Sequence, residues 1–246
     1  MQRVKTGIAK LDDLLEGGFP KNSVILVSGT PGAGKTIFSL QFIVEGARSG
    51  ERGLYITFEQ IANSIRMQAL QFGWDLEKYE KDNLVRVVSL KTLHSHVEKV
   101  ICEVEELTKK FNAQRLVLDS LSTLAIYSEV AADVETFEMM GIKTEAFIPP
   151  IIGDVVTRRA VMNLIERIRA LEVTTILTSE LQAGSAWLSR DTVSEFACDG
   201  VIKLQKIEAL GKRTLTVEKM RGTKHDFLPR MIVIGPNGIE IEDGTK

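Results

Sequence analysis

The feature that most constrains this chain is a glycine-rich loop between two apolar runs. Residues 29–36 read Gly-Thr-Pro-Gly-Ala-Gly-Lys-Thr and match the pattern G-x-x-x-x-G-K-[ST] in full. The apolar run before the loop predicts a strand, and the apolar run after it predicts a helix. A loop between a strand and a helix N-terminus favours phosphate, because backbone N–H groups and the helix dipole both attract an anion. The alternative interpretation is a glycine-rich turn that binds nothing.

This loop predicts two kinds of contact with a nucleotide. Lys35 is expected to bring a positive charge to the β- and γ-phosphates, and the hydroxyl of Thr36 is placed to coordinate Mg²⁺. The other loop residues expected to bind the nucleotide are Thr30, Pro31, Gly32, Ala33 and Gly34. The sequence contains no N-K-x-D element of the kind that reads guanine, and this favours ATP over GTP.

Carboxylates follow two further predicted strands. Residues 115–119 read Arg-Leu-Val-Leu-Asp, and an apolar strand ending in Asp119 is typical of the element that orders Mg²⁺, usually through a water. Residues 53–58 are rich in β-branched and aromatic side chains and lead to Glu59. A carboxylate at a strand end can simply face solvent. Ligands of open α/β sheets bind at the carboxyl ends of the strands, however, and this favours a functional role for Glu59.

Composition and charge narrow the class of protein. The 246 residues are 44% hydrophobic, which suits one α/β domain over residues 1–246. With 31 basic and 33 acidic side chains the net charge is −2, so no global basic field favours nucleic acid. Cys102 and Cys198 are far apart and suit a reducing compartment. No apolar run approaches the roughly 20 residues that span a bilayer. We therefore expect a soluble, cytoplasmic protein that does not bind membranes.

The order of the predicted elements indicates an α/β fold with a mostly parallel twisted sheet flanked by helices. Strands alternate with helices in the first part of the chain. Strands then cluster at 200–206, at 214–220 and in a hairpin over 231–241, which predicts antiparallel strands near the C-terminus. The first helix is predicted from an N-cap at Thr6 to Glu16. Residues 127–157 are acidic and irregular, and predict a long loop before a helix at 158–171.

Several short motifs occur together with the phosphate loop. They are Thr-Gly-Ile at 6–8, Gly-Gly-Phe-Pro at 17–20, Tyr-Ile-Thr-Phe-Glu-Gln at 55–60, Phe-Gly-Trp-Asp at 72–75 and Lys-Met-Arg-Gly-Thr-Lys-His at 219–225. This set resembles the RecA superfamily of P-loop ATPases, and within it the KaiC-like branch that is common as single-domain proteins in archaea. The resemblance covers nearly the whole chain and implies a RecA-like core. The last motif is the most specific, since generic phosphate-loop proteins lack it.

The resemblance also implies roles for residues outside the loop. Glu59 would be the base that polarises the attacking water, and Gln60 stands where the family often has a second glutamate. Lys219 and Arg221 would reach the γ-phosphate bound by a neighbouring subunit. Thr223 and His225 would support that contact. Glu180 would sense the γ-phosphate, and Gln71 would approach the adenine base. The alternative interpretation is that residues 219–225 form the charged tip of a hairpin and have no role at the nucleotide.

The function implied by the resemblance is slow, Mg²⁺-dependent ATP hydrolysis by a homohexameric ring with ATP at the subunit interfaces. The autokinase activity of KaiC is not expected, because Glu195 and Phe196 occupy the place of its Ser-Thr pair. A second hypothesis is a recombinase paralogue in DNA repair that grips single-stranded DNA with Arg158, Arg159 and the loop containing Trp187 and Arg190. A third is a scaffold that uses ATP to assemble an unidentified partner protein and barely hydrolyses it.

Overall fold

The structure, a computed structural model, describes residues 1–90, 97–124, 150–182 and 184–242. The chain begins with β1 (Arg3–Val4), α1 (Ala9–Leu14) and β2 (Phe19–Pro20). The alternating part consists of β3 (Val24–Gly29), α2 (Lys35–Arg48), β4 (Gly53–Thr57), α3 (Ala62–Leu70), α4 (Leu76–Lys81), β5 (Val85–Ser89), α5 (Val97–Phe111), β6 (Arg115–Asp119), α6 (Pro150–Ala170) and β7 (Thr174–Glu180). The last part consists of α7 (Ser194–Ala197), β8 (Gly200–Ile207), β9 (Lys212–Met220), β10 (Arg230–Gly235) and β11 (Gly238–Ile241).

Nine of the described strands form one sheet, in the order β11-β10-β9-β8-β3-β7-β6-β4-β5. Neighbouring strands from β8 to β5 are parallel. Strands β9, β10 and β11 extend the β8 edge in antiparallel pairing. The predicted fold class is therefore confirmed.

Strand β3 carries the glycine-rich loop into the middle of the sheet. All six of its residues are buried between β7 and β8, and Gly29 lies in register with Glu180 and Leu204. A Cβ atom built on Gly29 would lie 2.3 Å from the carbonyl oxygen of Leu204, so this position has no room for a side chain. The loop therefore leaves the sheet at the carboxyl edge, with a strand on either side.

Helices cover both faces of the sheet, as the apolar periodicity predicts. On one face a cluster that includes Phe38 and Phe42 of α2 packs on Tyr55 of β4. On the other face Ile101 of α5 and Leu164 of α6 belong to a second cluster. Full burial of one such side chain contributes about 1.5–3 kcal/mol, so these layers hold the strand ends in fixed positions. Within the described residues, no helix is both long and apolar enough to cross a bilayer.

The first helix differs from the prediction at both ends. It begins at Ala9, with Ile8 as its N-cap, and ends at Leu14 rather than Glu16. The hydroxyl of Thr6 accepts a hydrogen bond from Ile8 N–H at 3.1 Å and donates one to Asp12 Oδ1 at 2.7 Å. Thr6 thus stabilises the turn before the helix instead of capping the helix itself.

Helix α6 begins at Pro150, so residues 150–157 are helical where an irregular segment was predicted. Proline suits the first helical turn because that turn needs no N–H donor, and this signal outweighs the irregular composition. The rest of the predicted irregular segment, residues 127–149, lies outside the described residues. Helix α4 was not predicted, because six residues are too few to show a helical period.

Candidate functional site

A pocket of about 300 Å³ opens at the carboxyl edge of the sheet, beside the glycine-rich loop. It is lined by carboxylates from the ends of three other strands and by the loop residues Pro31, Gly32, Gly34, Lys35 and Thr36. These carboxylates belong to Glu59, Asp119 and Glu180. Parallel strands bring their carboxyl ends to one edge, which is why residues far apart in sequence meet here.

The loop holds the ammonium group of Lys35 at the place where a phosphate is expected to bind. Gly34 has a φ of 111°, in the region that favours glycine, and precedes the first residue of α2, Lys35. The ammonium of Lys35 donates to the carbonyl oxygens of Gly29 at 2.9 Å and Thr30 at 3.3 Å. Burial lowers the pKa of Lys35, while the nearby carboxylates act in the opposite direction. The lysine is thus folded over its own loop, where a bound phosphate would be a stronger partner than two carbonyl groups.

The predicted metal ligands are adjacent. Thr36 donates from its hydroxyl to Oδ2 of Asp119 at 3.2 Å. Asp119 also accepts hydrogen bonds from the hydroxyl of Tyr55 at 2.5 Å and of Thr178 at 2.6 Å. Burial raises the pKa of Asp119, and the hydrogen bonds from Thr178 and Tyr55 partly offset this effect. The same burial, together with the charge of Asp119, raises the pKa of Tyr55.

A hydroxyl and a carboxylate are the oxygen donors that Mg²⁺ prefers, so Thr36 and Asp119 fit that ion. Among the described residues, no group of three or more His, Cys, Asp or Glu side chains could hold a metal by itself. A cation at this position would therefore complete its coordination with water and substrate oxygens, as Mg²⁺ commonly does.

Glu59 follows β4 and enters the same pocket from the same side of β3 as Glu180, because β7, β6 and β4 follow β3 in the strand order. Its carboxylate is exposed, yet its Oε1 atom accepts hydrogen bonds from two hydroxyl groups, those of Ser120 and Thr123. Glu180 ends β7; its N–H donates to the hydroxyl of Ser122 at 2.8 Å, and its Oε1 lies 3.8 Å from Lys35 Nζ. Both carboxylates therefore approach the loop from the β7 side of β3.

Lys219 and Arg221 are not brought to this pocket within the chain. The ammonium of Lys219 donates to the carbonyl oxygens of Glu195, Phe196 and Cys198 at the end of α7. Arg221 forms an ion pair of 3.0 Å with Asp199, and the Asp199 N–H donates to the carbonyl oxygen of Val24, the first residue of β3. Both residues therefore lie toward the amino end of β3, opposite the edge where the loop leaves the sheet.

The three other residues that the resemblance assigned to nucleotide contacts also lie outside the pocket. Thr223 accepts a hydrogen bond of 2.6 Å from Arg3, and His225 packs edge-on against the ring of Phe227. Gln71 is exposed at the C-cap of α3. Their roles stay predictions.

The structure adds a basic pair that the sequence did not reveal. Arg213 of β9 lines the pocket and donates to the carbonyl oxygen of Gly32 at 3.2 Å. Its cross-strand partner, Lys206 of β8, also approaches the loop, because a Cβ atom on Gly32 would lie 3.4 Å from its ammonium nitrogen. Only the register of β8 and β9 places these charges beside the phosphate loop, so no local sequence signal could have identified them.

A second cavity, of about 430 Å³, adjoins the first through Pro31 and Glu180. Its outer wall contains Trp187, whose side chain is 53% exposed, and Arg190. These are two of the four residues named for a grip on single-stranded DNA; the other two, Arg158 and Arg159 of α6, do not line this cavity.

Comparison with known proteins identifies similar chains. The sequence profile of the family described as "ATPase: KaiC" matches residues 4–144 and 150–246. A protein of Aeropyrum pernix named as a UPF0273 protein is 33% identical over 256 residues, covering 97% of this chain and 93% of that one. The circadian clock protein KaiC3 of Synechocystis is 30% identical over 236 residues, covering 92% of this chain and 42% of that protein.

A solved structure has the same architecture. The crystal structure of a KaiC-like protein from Pyrococcus horikoshii matches with a TM-score of 0.80 and 34% sequence identity. The match covers 98% of this chain and 99% of that one. Fold and sequence therefore agree over nearly the full length.

Proposed function

This chain belongs to the KaiC family of ATPases, and from this membership we propose that it is a Mg²⁺-dependent ATPase. The observation that carries the proposal is the meeting of Lys35, Thr36, Asp119 and Glu59 around one pocket. A cation for the phosphates, oxygen ligands for Mg²⁺ and a carboxylate for water are the parts that phosphoryl transfer to water requires.

In the proposed reaction the phosphates of ATP lie over the loop. Lys35 exchanges the carbonyl oxygens of Gly29 and Thr30 for the β- and γ-phosphates. Thr36 and Asp119 would hold Mg²⁺, which neutralises charge on the phosphates when it is bound. Glu59 accepts a proton from a water as that water attacks the γ-phosphorus. The bond to the bridging oxygen breaks, and ADP and phosphate leave.

The ring is part of the same proposal. Lys219 and Arg221 lie toward the opposite edge of the sheet from the loop, so they cannot complete the site of their own chain. In a closed head-to-tail ring, that edge of one subunit faces the loop edge of the next. Each ATP would then be held at an interface and receive both cations from the neighbour. We propose a homohexamer, following the resemblance.

Three finer assignments complete the proposal. Residues 1–246 act as one ATPase domain. Turnover is slow, because Lys219 and Arg221 must leave their contacts within the chain and the interface must assemble before hydrolysis. Cys102 and Cys198 are unpaired, which supports the assignment to the reducing cytoplasm.

The cavity beside Trp187 supports a second candidate function, the binding of single-stranded DNA. An exposed indole offers a surface on which a base can stack, and Arg190 offers a cation for the backbone. This cavity shares Pro31 and Glu180 with the nucleotide pocket, so a bound strand would affect ATP turnover.

Steady-state hydrolysis tests these alternatives together. We would measure phosphate release over a range of protein concentrations, with Mg²⁺ or EDTA, with and without single-stranded DNA, and with Lys35→Ala as the blank. The proposal predicts low activity that requires Mg²⁺, rises with protein concentration and ignores DNA. Strong stimulation by DNA would favour the recombinase paralogue. Binding of ATP without turnover would contradict hydrolysis and favour the scaffold.

A further inference from the structure

The carboxylate of Glu59 is held by one turn of the chain. Residues 121–124 are helical and directly follow β6. The hydroxyl groups of Ser120 and Thr123 both donate to Oε1 of Glu59, the latter at 2.5 Å. Ser120 Oγ also accepts a hydrogen bond of 3.4 Å from the N–H of Thr123, so the two donors are themselves linked.

We propose that Ser120 and Thr123 are positioning residues that hold the carboxylate of Glu59 against the attacking water. This inference rests on the proposed hydrolysis of ATP. An exposed glutamate samples many rotamers, and fixing its carboxylate in advance removes that entropy cost from the reaction. Two donors on Oε1 fix the side chain, whereas Oε2 receives no hydrogen bond from the described residues and is free to accept a proton from water.

The position of the turn supports this role. Ser120 follows Asp119 immediately, so the same stretch of backbone carries the carboxylate proposed to hold Mg²⁺ and the first donor to Glu59. Ser122 of this turn accepts a hydrogen bond of 2.8 Å from the backbone N–H of Glu180, at the end of the neighbouring strand β7. The turn thus contacts the carboxylate of Glu59 and the backbone of Glu180, and it links both strand ends to Asp119, the proposed metal ligand.

A surface hydrogen bond can also exist without any effect on catalysis, and a double-mutant cycle distinguishes the two situations. Thr123→Val removes the hydroxyl and keeps the shape. We expect it to lower kcat about fivefold and to change KM for ATP by less than about twofold, since it leaves the phosphate contacts intact. Thr123→Ser restores the hydroxyl and should return kcat to within about twofold of the wild type.

The decisive comparison uses Glu59→Gln as the second background. If Thr123 acts through Glu59, then Thr123→Val should leave the residual activity of Glu59→Gln unchanged. Adding Ser120→Ala to Thr123→Val in the wild-type background should lower kcat about 50-fold. Thr108→Val is the matched control, because it deletes a buried hydroxyl on α5 whose hydrogen bond, among the described residues, is to Val104 of its own helix. Its kcat should equal that of the wild type.

The outcomes separate this inference from the proposed function. An unchanged kcat in Thr123→Val, failure of rescue by Thr123→Ser, or an equal loss in both backgrounds would overturn the positioning role while leaving the ATPase intact. No turnover by the wild type would overturn the ATPase and, with it, the positioning role. Thermal melts of every variant identify any that fails to fold, and Thr123→Ser keeps the test decisive in that event.

Discussion

Thr36 and Asp119, 83 residues apart in the chain, are joined by a hydrogen bond of 3.2 Å between the threonine hydroxyl and Oδ2 of the aspartate. This contact links the first residues of α2 to the end of β6. Because the loop supplies one oxygen and a separate strand supplies the other, a metal bound between them would connect the phosphate loop to the sheet. The chain is an ATP-binding member of the KaiC family with the RecA-like fold, and this pair forms the centre of its proposed site.

Asp119→Asn should lower hydrolysis about 10- to 100-fold and raise the Mg²⁺ concentration needed for half-maximal activity. The amide keeps the size of the side chain and removes the charge that favours the cation. Titration of activity with Mg²⁺ at saturating ATP measures the effect. Unchanged Mg²⁺ dependence would mean that Asp119 does not act near the metal.

The same substitution should raise the free energy of unfolding at neutral pH without nucleotide. Burial raises the pKa of Asp119 in the folded state, so the folded protein binds this proton more tightly than the unfolded chain. The wild type therefore loses stability as pH rises from the unfolded pKa, about 4, through the raised folded pKa. Urea titrations at several pH values should show the advantage of Asp119→Asn at neutral pH and its disappearance below about pH 4. An advantage that persists in acid would contradict this cause.

Lys35→Ala should weaken ATP binding about 100-fold, because a charge-assisted contact to the phosphates is lost. Calorimetry or fluorescence titration with ATP measures the affinity. Lys78→Ala is the control, since Lys78 is exposed on α4, no residue of which lines the pocket, and this variant should bind ATP as the wild type does. Equal affinities for all three proteins would place the nucleotide elsewhere.

Glu59→Gln should separate binding from hydrolysis. We expect kcat to fall about 100-fold while the affinity for ATP changes by less than about twofold. The glutamine retains hydrogen bonding but cannot take a proton from water. Single-turnover measurements with bound ATP report the chemical step directly, and normal single-turnover rates would exclude Glu59 as the base.

Gly29→Ala should lower the free energy of unfolding by about 3 kcal/mol, because a Cβ atom at this position meets the backbone of Leu204 at 2.3 Å. Urea unfolding gives the difference as a shift of the midpoint with an unchanged slope. Gly235→Ala is the control: a Cβ atom there meets nothing within 4 Å, and its stability should match the wild type within about 0.5 kcal/mol. Equal stabilities for both variants would contradict the close packing of β3 against β8.

The sequence best predicted those residues of the candidate site that belong to a local sequence pattern. Lys35, Thr36, Asp119 and Glu59 each follow or end a recognisable strand, and parallel strands bring such ends to one edge. Arg213 could not be predicted, because its approach to Gly32 depends on the register between β8 and β9. The donors to Glu59 follow the same rule, since they depend on where β4 and β6 lie side by side.

The errors in secondary structure also have local causes. At the start of α1, the hydroxyl of Thr6 bonds to the side chain of Asp12, a competing partner that a capping pattern does not reveal. At the start of α6, the sequence prediction places Pro150 in a loop, although proline is common in the first helical turn. In both places the type of residue was informative, and the error lay in the choice between the two local conformations that it allows.

The most direct test of the interface site is a mixture of two defective subunits. Glu59→Gln removes the base from the loop side of an interface, and Arg221→Ala removes a cation that the neighbour supplies. Randomly mixed rings in equal amounts should contain intact interfaces at about a quarter of the positions. We therefore predict about a quarter of the wild-type activity in the mixture, well above either variant alone. Activity no greater than the mean of the separate variants would contradict an ATP site shared between subunits.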